Sequence, residues 1–416
     1  MLGNRVLVNR LNFLALSVAT LTVPFLHLAI SQLFPQVLPM NDVLLYGYWL
    51  QMMQAGDPIF GIQQNFVYPY LSLAPMVLAK LIGVGAGILV GWSVLVALFN
   101  FFATASLVKW GRGTAAGFAA AWAWVLFLFI LGPAGVGRID AIAASVAVFG
   151  LVAFASGRVG MAMVAFTIGA WVKIWPVALA AAAFFADKSK KAMANSIAYT
   201  LSAIVLFALF AGGNISVLSF VFTQGGRGIQ IESPMAMFWI WAAKLGVPDV
   251  GIYYDREIIT NQVYGALVEE VSALSTLVLI GALLITVALT WRASRAGADR
   301  NQIFALSALT GVLDLIVFNK VGSPQFMAWL ALPLIALIFF RVNKSWFAVT
   351  SIFAIGALTD LVYPIFYMDL MGLGDWSVAL LTVRNVLLIA LLVHANIRLG
   401  ALAKAPKIQT TNQAAL

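Results

Sequence analysis

The residue best suited to chemistry is Asp42, in the segment NDVLLYGYWL. A helix that starts near Asn41 would present Asp42, Tyr46 and Trp49 on one face, because residues three and four apart are neighbours on a helix. A carboxylate beside two aromatic rings can hold a sugar by stacking and remove a proton from its hydroxyl group. The alternative is that Asp42 only caps the helix, since Asp is a preferred N-cap residue. The residues alone favour the cap.

Two lysines beside helix breaks are candidate anion ligands. Lys173, in WVKIWP, lies at membrane depth, where a lysine marks either a site or an ion pair that locks two helices. Lys320, in NKVGSPQF, is followed by a break that reaches Gln325 and offers freed backbone donors to a phosphate. The alternative for Lys320 is an ordinary turn with a snorkelling lysine, and the pattern favours the phosphate.

The segment TQGGRGIQIES adds a third candidate cation, Arg227. Its glycines would let backbone N–H groups approach an anion. Glu232, just beyond, would either bind a hydroxyl group or remain solvated.

Five other charged residues have simpler interpretations. Asp140 opens a helix and is expected to cap it, and Arg138 is expected to snorkel. Asp314, Asp360 and Arg384 lie within predicted spans and are expected to neutralise one another, although a proton path is the alternative.

Several classes of chemistry are excluded. The chain has no cysteine, and its two histidines, His27 and His394, are isolated, so no metal-ligand spacing is present. No nucleotide phosphate-binding loop or nucleophile elbow occurs, which argues against a nucleotide-driven pump or a serine hydrolase.

The elements that must position these residues are membrane helices. Of 416 residues, 63% are hydrophobic and 9% charged, which excludes an ordinary soluble domain. Long apolar runs predict an all-α, polytopic transmembrane bundle of about 12 spans, each needing about 20 residues. The predicted helices are 11–31, 88–109, 113–132, 140–156, 160–172, 174–186, 193–212, 266–291, 301–318, 324–341, 345–363 and 377–397.

The basic residues predict sidedness. With the N-terminus inside and the first helix uncleaved, alternate loops contain 16 of the 24 Lys and Arg residues. The net charge of +9 therefore reports topology, and no nucleic-acid partner is expected.

Two regions do not fit the pattern of single membrane-crossing helices. Segments 160–172 and 174–186 are too short to cross separately, so they should form a hairpin whose tip stops within the outer half of the membrane. Segment 68–83 is assigned to an outer-surface or re-entrant helix. It lies in the first of two long outer loops, 32–87 and 213–265, which should carry interfacial helices. Residues 1–404 are predicted to form one domain, followed by a disordered cytoplasmic tail, 405–416.

This layout resembles the GT-C class of glycosyltransferases. It is most similar to the bacterial, largely actinobacterial, polyprenol-phosphate-mannose-dependent α-mannosyltransferases that include the phosphatidylinositol-mannoside enzymes. The resemblance covers most of the chain and rests on NDVLLYGYW, GDPIFG, FVYPYLSLAPM, GRID, VKIWP, RGIQIES and KVGSPQF, taken in that order. FVYPYL has one proline where the family commonly has two, so a polyprenol-phosphate-arabinose-dependent arabinofuranosyltransferase of the same class stays open.

The resemblance implies a function. A polyprenyl-phosphate-linked sugar would be the donor and a glycolipid or glycan the acceptor, at the extracytoplasmic face of a bacterial plasma membrane. Asp42 would be the general base of an inverting transfer. The residues implied to bind the donor phosphate are Lys320, Arg227 and Lys173, and those implied to bind sugar or acceptor are Tyr46, Trp49, Glu232 and Gln325. No cofactor and no metal are expected. The alternative from another class is a lipid or solute transporter or flippase, in which charges within spans and broken helices also occur.

Overall fold

The chain is mainly helical in the computed structural model, which describes residues 2–223 and 227–404. The predicted tail, 405–416, lies outside the described residues. The α-helices are α1 (Leu2–Ser31), α2 (Asn41–Gln54), α3 (Leu73–Ile82), α4 (Ile88–Leu107), α5 (Ala115–Leu131), α6 (Ile139–Ala155), α7 (Val159–Val172), α8 (Val177–Ala186), α9 (Lys190–Phe210), α10 (Ser219–Phe222), α11 (Met237–Lys244), α12 (Val268–Arg295), α13 (Arg300–Val317), α14 (Ala331–Phe339), α15 (Trp346–Asp360), α16 (Tyr367–Met371) and α17 (Asp375–Leu402). Short 3-10 turns and one π-turn cover Tyr70–Ser72, Gly132–Gly135, Ile215–Leu218, Pro234–Ala236, Pro324–Leu330 and Leu361–Ile365.

Eight helices in the described part of the chain are long and apolar enough to cross a membrane. They are α1, α4, α5, α9, α12, α13, α15 and α17, some with short extensions. The other four predicted spans correspond to shorter apolar helices, namely α6, α7, α8 and the Pro324–Phe339 segment that contains α14. The structure therefore confirms a helical membrane bundle, and the count of 12 crossings stays a prediction.

The bundle has a buried centre and an apolar outer ring. Helix α13 is buried along most of its length and packs against α8, α14 and α17. Phe304 of this helix stacks on Phe154 of α6, with ring centroids 4.5 Å apart. By contrast, α9 and α12 bury few of their apolar side chains. Apolar side chains that face outward are expected where the solvent is lipid.

The two ends of the bundle bring together the loops that the charge pattern assigns to the same side. At one end, Arg300 pairs with Asp187 at 2.5 Å, and Arg398 donates to the backbone carbonyl of Lys344 at 2.6 Å. At the other end, Lys244 pairs with Asp375 at 2.5 Å. This arrangement agrees with the predicted alternation of loops, and which end faces the cytoplasm stays a prediction.

The two long segments that the charge pattern predicts to be outer loops lie at the same end of the bundle. The first contains α2 and α3, and the second contains α10 and α11, so helices occur in both as predicted. Helix α3 is fixed tightly to α4, because a Cβ at Gly91 would lie only 2.0 Å from the carbonyl oxygen of Ala79. Small residues allow such close approach between helices in membranes.

The all-α prediction misses one β-hairpin in the second outer segment. Strands β1 (Gly251–Asp255) and β2 (Thr260–Tyr264) pair antiparallel, with Gly251 opposite Tyr264. Residues 229–231 lie along β2, where the Val263 N–H donates to Ile229 O at 3.0 Å. Aromatic and β-branched residues in GIYYD and TNQVY favour strands, a signal that the search for long apolar runs overlooks.

Candidate functional site

Asp42 forms an ion pair near the start of α2. The helix begins at Asn41 and its N-cap residue, Met40, makes no side-chain capping bond. The Asp42 Oδ2 atom lies 2.8 Å from the Nε atom of Arg138, and 30% of the Asp42 side chain is exposed. The capping interpretation is therefore wrong, because this carboxylate is held by a guanidinium and remains partly open to solvent.

Arg138 joins three separate segments around Asp42. It precedes α6, is 7% exposed, and donates to the backbone carbonyl of Pro39 at 2.7 Å. It also donates to Gln325 Oε1 at 2.9 Å and to the hydroxyl of Tyr363 at 3.4 Å. The snorkelling prediction is wrong, because a buried charge is stabilised by paired and hydrogen-bonded partners. The fork of guanidinium donors suits it to hold several acceptors at once.

A second ion pair lies behind the first. Asp140, in the first turn of α6, is fully buried and lies 3.8 Å from the Nζ atom of Lys173. The indole of Trp329 donates to Asp140 Oδ1 at 2.6 Å, and Lys173 lies 4.3 Å from the centre of the Tyr68 ring. Asp140 is thus not the N-cap that the sequence predicted. For Lys173, the structure contains the ion pair that was one of its two interpretations.

The aromatic residues of α2 differ in exposure. Tyr46 is fully buried, and its ring packs 5.2 Å from that of Trp92 and 5.9 Å from that of Trp49. Its hydroxyl accepts from the N–H of Ile139 at 3.1 Å, and burial raises its pKa well above the ordinary value. Tyr46 therefore supports the site by packing, and Trp49, which is partly exposed, is the residue of the two that a sugar can reach.

Arg227 and Lys320 form a second basic region. Lys320 is 6% exposed and donates to Ser272 Oγ at 3.2 Å, and Ser272 in turn donates to the backbone carbonyl of Arg227 at 2.9 Å. Burial lowers the pKa of Lys320, and the positive charge of Arg227 lowers it further. Arg227 also interacts electrostatically with Lys173. Cations held close together repel one another, so an anion bound among them would be stabilised.

Glu232 ends a strap, residues 229–232, that lies between β2 and the loop after α13. The Gln230 N–H donates to the carbonyl of Lys320 at 2.9 Å. Glu232 is 1% exposed, and Arg384 donates to its backbone carbonyl. Burial raises the pKa of Glu232 from 4.5 to about 7. The sequence placed Glu232 near a bound hydroxyl or in solvent, and the structure excludes the solvated alternative.

The three charged residues within spans do not neutralise one another. Asp314 accepts from the hydroxyl of Thr286 at 2.6 Å, and Arg384 is held by the Glu232 carbonyl and by the Asn385 side chain. Among the described residues, no ion pair joins Asp314 or Asp360 to Arg384. That interpretation is wrong because the spans that carry these residues orient them toward different neighbours.

Gly322 lets the strap approach the Lys320 loop, which leads to a stability prediction. A Cβ at this position would lie 2.1 Å from the backbone nitrogen of Ser233 and 2.3 Å from its Cα. We expect Gly322→Ala to lower stability by about 1–3 kcal/mol, the usual cost of forcing extra volume into a packed site. Thermal unfolding in detergent measures the effect. Gly281→Ala is the matched control, because nothing lies within 4 Å of a Cβ there. Equal melting temperatures for the two variants would contradict the prediction.

The raised pKa of Glu232 predicts a pH-dependent stability. The unfolded carboxyl ionises near 4.5 and the folded one near 7, so the unfolded state holds fewer protons between these values. Stability therefore falls as the pH rises through this window, by at most about 3 kcal/mol at 1.36 kcal/mol per unit of pKa. We expect the melting temperature of the wild type, relative to that of Glu232→Gln, to fall between pH 4.5 and 7. Parallel curves for the two proteins would show that Glu232 does not titrate in this way.

The structure connects most of the predicted site residues through ion pairs, hydrogen bonds, a ring contact and charge interactions. Lys173 interacts with both Asp42 and Arg227, and Arg227 interacts with Lys320. Tyr363, which accepts from Arg138, packs its ring edge to face against that of Tyr367, with ring centroids 5.0 Å apart. The network as a whole contains Asp42, Arg138, Gln325, Asp140, Lys173, Arg227, Lys320, Tyr363, Tyr367 and Glu232.

Sequence reasoning missed the structural roles of Arg138 and Asp140 and the aromatic partners Tyr68, Trp329 and Tyr363. One signal was available. GRID brings two charges to the start of a helix that is otherwise apolar, and buried charges require partners. In the described ranges, 2–223 and 227–404, no group of three or more His, Asp or Glu side chains is arranged to hold a metal ion. The chain matches no protein-family model and no curated protein.

Proposed function

We propose that this protein is a membrane glycosyltransferase that moves a sugar from a polyprenyl-phosphate donor to a lipid-linked or glycolipid acceptor. The observation that supports it most is the position of Asp42. Its carboxylate is partly exposed, is oriented by the buried guanidinium of Arg138, and lies in one network with Lys173 and Arg227. A fixed base next to fixed cations suits a reaction in which a hydroxyl loses a proton and a phosphate leaves.

The proposed reaction is a single displacement. The acceptor hydroxyl oxygen attacks the anomeric carbon, and Asp42 takes the hydroxyl proton. The bond between the anomeric carbon and the phosphate oxygen breaks, and polyprenyl phosphate leaves with the electron pair. Attack opposite the leaving group inverts the configuration at the anomeric carbon.

The basic residues account for departure of the phosphate. Lys320, Arg227 and Lys173 would stabilise the charge that develops on the leaving oxygen, as preorganised cations do in a site that excludes water. Lys173 already pairs with Asp140, so its ammonium is held in one position before any ligand binds. Gln325 and Trp49 would orient sugar or acceptor, and both are partly exposed.

The resemblance to GT-C enzymes supports mannose as the sugar and a bacterial plasma membrane, with the site on the extracytoplasmic face, as the location. Arabinose is the second candidate sugar. Both donors have the same phosphate and the same kind of lipid, so the basic residues cannot distinguish them.

The test is transfer by the purified protein. It is incubated in separate reactions with polyprenyl-phosphate-mannose and polyprenyl-phosphate-arabinose, together with extracted glycolipids. The products are separated, and their masses are measured by mass spectrometry. We expect a product whose mass increases by one sugar with one of the two donors. Vesicles containing the protein are assayed in parallel for movement of lipid or solute. Transport without any transfer product would replace the glycosyltransferase proposal with the transporter alternative.

A further inference from the structure

An apolar groove lies beside the strap that carries Glu232. It has a volume of about 660 Å³ and runs between α11 and α17. Its walls include Trp239 and Ala242 from α11, and Val386 and Ile389 from α17. Two contacts fix these walls: the Trp241 indole donates to Thr382 Oγ1 at 3.1 Å, and Lys244 pairs with Asp375. The groove is therefore a built feature between two connected helices.

The outer rim of this groove is apolar and exposed. Val386 is 60% exposed and Ile389 is 45% exposed, and both belong to a helix long enough to cross a membrane. Phe238, at the other wall, is 72% exposed. An apolar opening on a membrane helix is accessible to hydrocarbon chains, which identifies a lipid tail as the chemistry that fits it.

The inner end of the groove is polar. Asn385 lines the groove, and its Oδ1 atom accepts from Arg384. Within the described residues, the Asn385 Nδ2 atom has no hydrogen-bond partner. Neither do Arg384 Nη1 and Glu232 Oε2, on two residues that do not line the groove but are connected to Asn385 through the Arg384 guanidinium. All three residues are at most 1% exposed. Buried polar groups are nearly always paired, so unpaired atoms on three connected residues, one of which lines the groove, point to a ligand beside Asn385.

These three atoms define the head of the ligand. The guanidinium and the amide are donors, and the carboxylate is an acceptor. A hydroxyl group can both donate and accept, so a head with several hydroxyl groups satisfies all three atoms. The opposite charges of Arg384 and Glu232 offset one another, which favours a neutral head. A phosphate in this position would face the Glu232 carboxylate.

We propose that the groove binds a lipid with a neutral, hydroxyl-bearing head, its tail between α11 and α17 and its head at Asn385, beside the connected residues Arg384 and Glu232. The identification of this lipid as the acceptor rests on the proposed function. Glu232 interacts electrostatically with Tyr367, the ring of Tyr367 contacts that of Tyr363, and the Tyr363 hydroxyl accepts from Arg138 beside Asp42. The head would thus lie at one end of the network whose other end holds the candidate base.

A second groove supplies a control. It has a volume of about 420 Å³ and lies between α1 and the start of α4, with walls that include Ala29, Leu28 and Ile88. It is also apolar, but its residues are not among those with unpaired buried polar atoms in the described part of the chain. A lipid recognised by its head should therefore bind the groove between α11 and α17 and not the groove between α1 and α4.

The experiment measures lipid binding without any transfer step. The protein is placed in phosphatidylcholine nanodiscs with galactosyl diacylglycerol that carries a diazirine in one acyl chain. After irradiation, labelled peptides are mapped by mass spectrometry. We expect labels at 234–250 and 382–389. Ala242→Trp, which fills the groove, and Asn385→Leu, which removes a donor, should each reduce labelling there about tenfold, as expected for loss of one buried polar contact or of the binding volume.

The controls are a matched variant in the second groove and a second lipid with a charged head. Ala29→Trp makes the same substitution in the control groove and should leave labelling at 382–389 unchanged. Phosphatidic acid with the same diazirine chain should label these residues weakly. Equal labelling by phosphatidic acid, or unchanged labelling after Ala242→Trp, would overturn the inference. Asp42→Asn should label like the wild type, so absence of transfer with normal labelling contradicts only the proposed function, and transfer without labelling contradicts only this inference.

Discussion

Asp42→Asn is expected to reduce the rate of sugar transfer by a factor of about 10²–10⁴, the usual contribution of a positioned general base. The amide keeps the size of the side chain and can still accept from Arg138, but it cannot take the proton of the acceptor hydroxyl. Binding of the polyprenyl-phosphate donor should remain, because the cations proposed to hold its phosphate are unchanged. The measurement is single-turnover transfer at saturating donor, with donor binding followed separately.

Asp57→Asn is the matched control for this prediction. It makes the same chemical change in the same outer segment, and Asp57 is exposed in the structure. Its transfer rate should equal that of the wild type. The melting temperature of Asp42→Asn must also be compared with that of the wild type, because the substitution removes the negative charge paired with a buried arginine. A folded Asp42→Asn protein with normal turnover would exclude Asp42 as the base.

The second large effect is expected at the buried Asp140–Lys173 pair. Lys173→Met leaves the Asp140 carboxylate fully buried, with Trp329 as its hydrogen-bond donor but without a cation. Loss of one partner from a buried ion pair usually costs about 3–5 kcal/mol, because the remaining charge is uncompensated. The double variant Asp140→Asn with Lys173→Met removes both charges and should recover much of that loss. Thermal unfolding of the wild type, of the single variants Lys173→Met and Asp140→Asn, and of the double variant measures the coupling.

Lys244→Met is the control for the ion-pair experiment. The Lys244 side chain is 18% exposed, but its partner, Asp375, is 88% exposed. The Asp375 carboxylate therefore stays solvated when the lysine is removed, and stability should change little. If the double variant were no more stable than Lys173→Met, the loss would come from packing of the lysine stem and not from an unpaired charge. Transfer activity of a folded double variant would then report whether the ammonium of Lys173 also acts on the donor.

The sequence predicted the eight long apolar helices because their signal is local. An apolar run of about 20 residues identifies a span without knowledge of its neighbours. The break at WVKIWP was visible in the same way, since two short apolar segments flank a lysine and a proline. The structure contains it as the interval between α7 and α8. The β-hairpin was missed, because five-residue strands leave little trace in such runs.

The candidate site was predictable only in part. Asp42, Lys173 and Lys320 stood out because a charge beside aromatic or helix-breaking residues is unusual in an apolar chain. Their partners did not stand out. Arg138 contacts Gln325, 187 residues away, and Asp140 contacts Trp329, 189 residues away, and no local pattern records such pairs.

The sequence by itself therefore determined a mainly helical membrane chain with its charges concentrated at helix ends, because hydropathy and charge act on each segment separately. Only the tertiary structure decided which charges pair, because burial depends on the neighbours that packing supplies. In that packing Arg138 pairs with Asp42, Asp140 pairs with Lys173, and Tyr46 is buried. Glu232 lies beside Arg384, whose neighbour Asn385 lines an apolar groove.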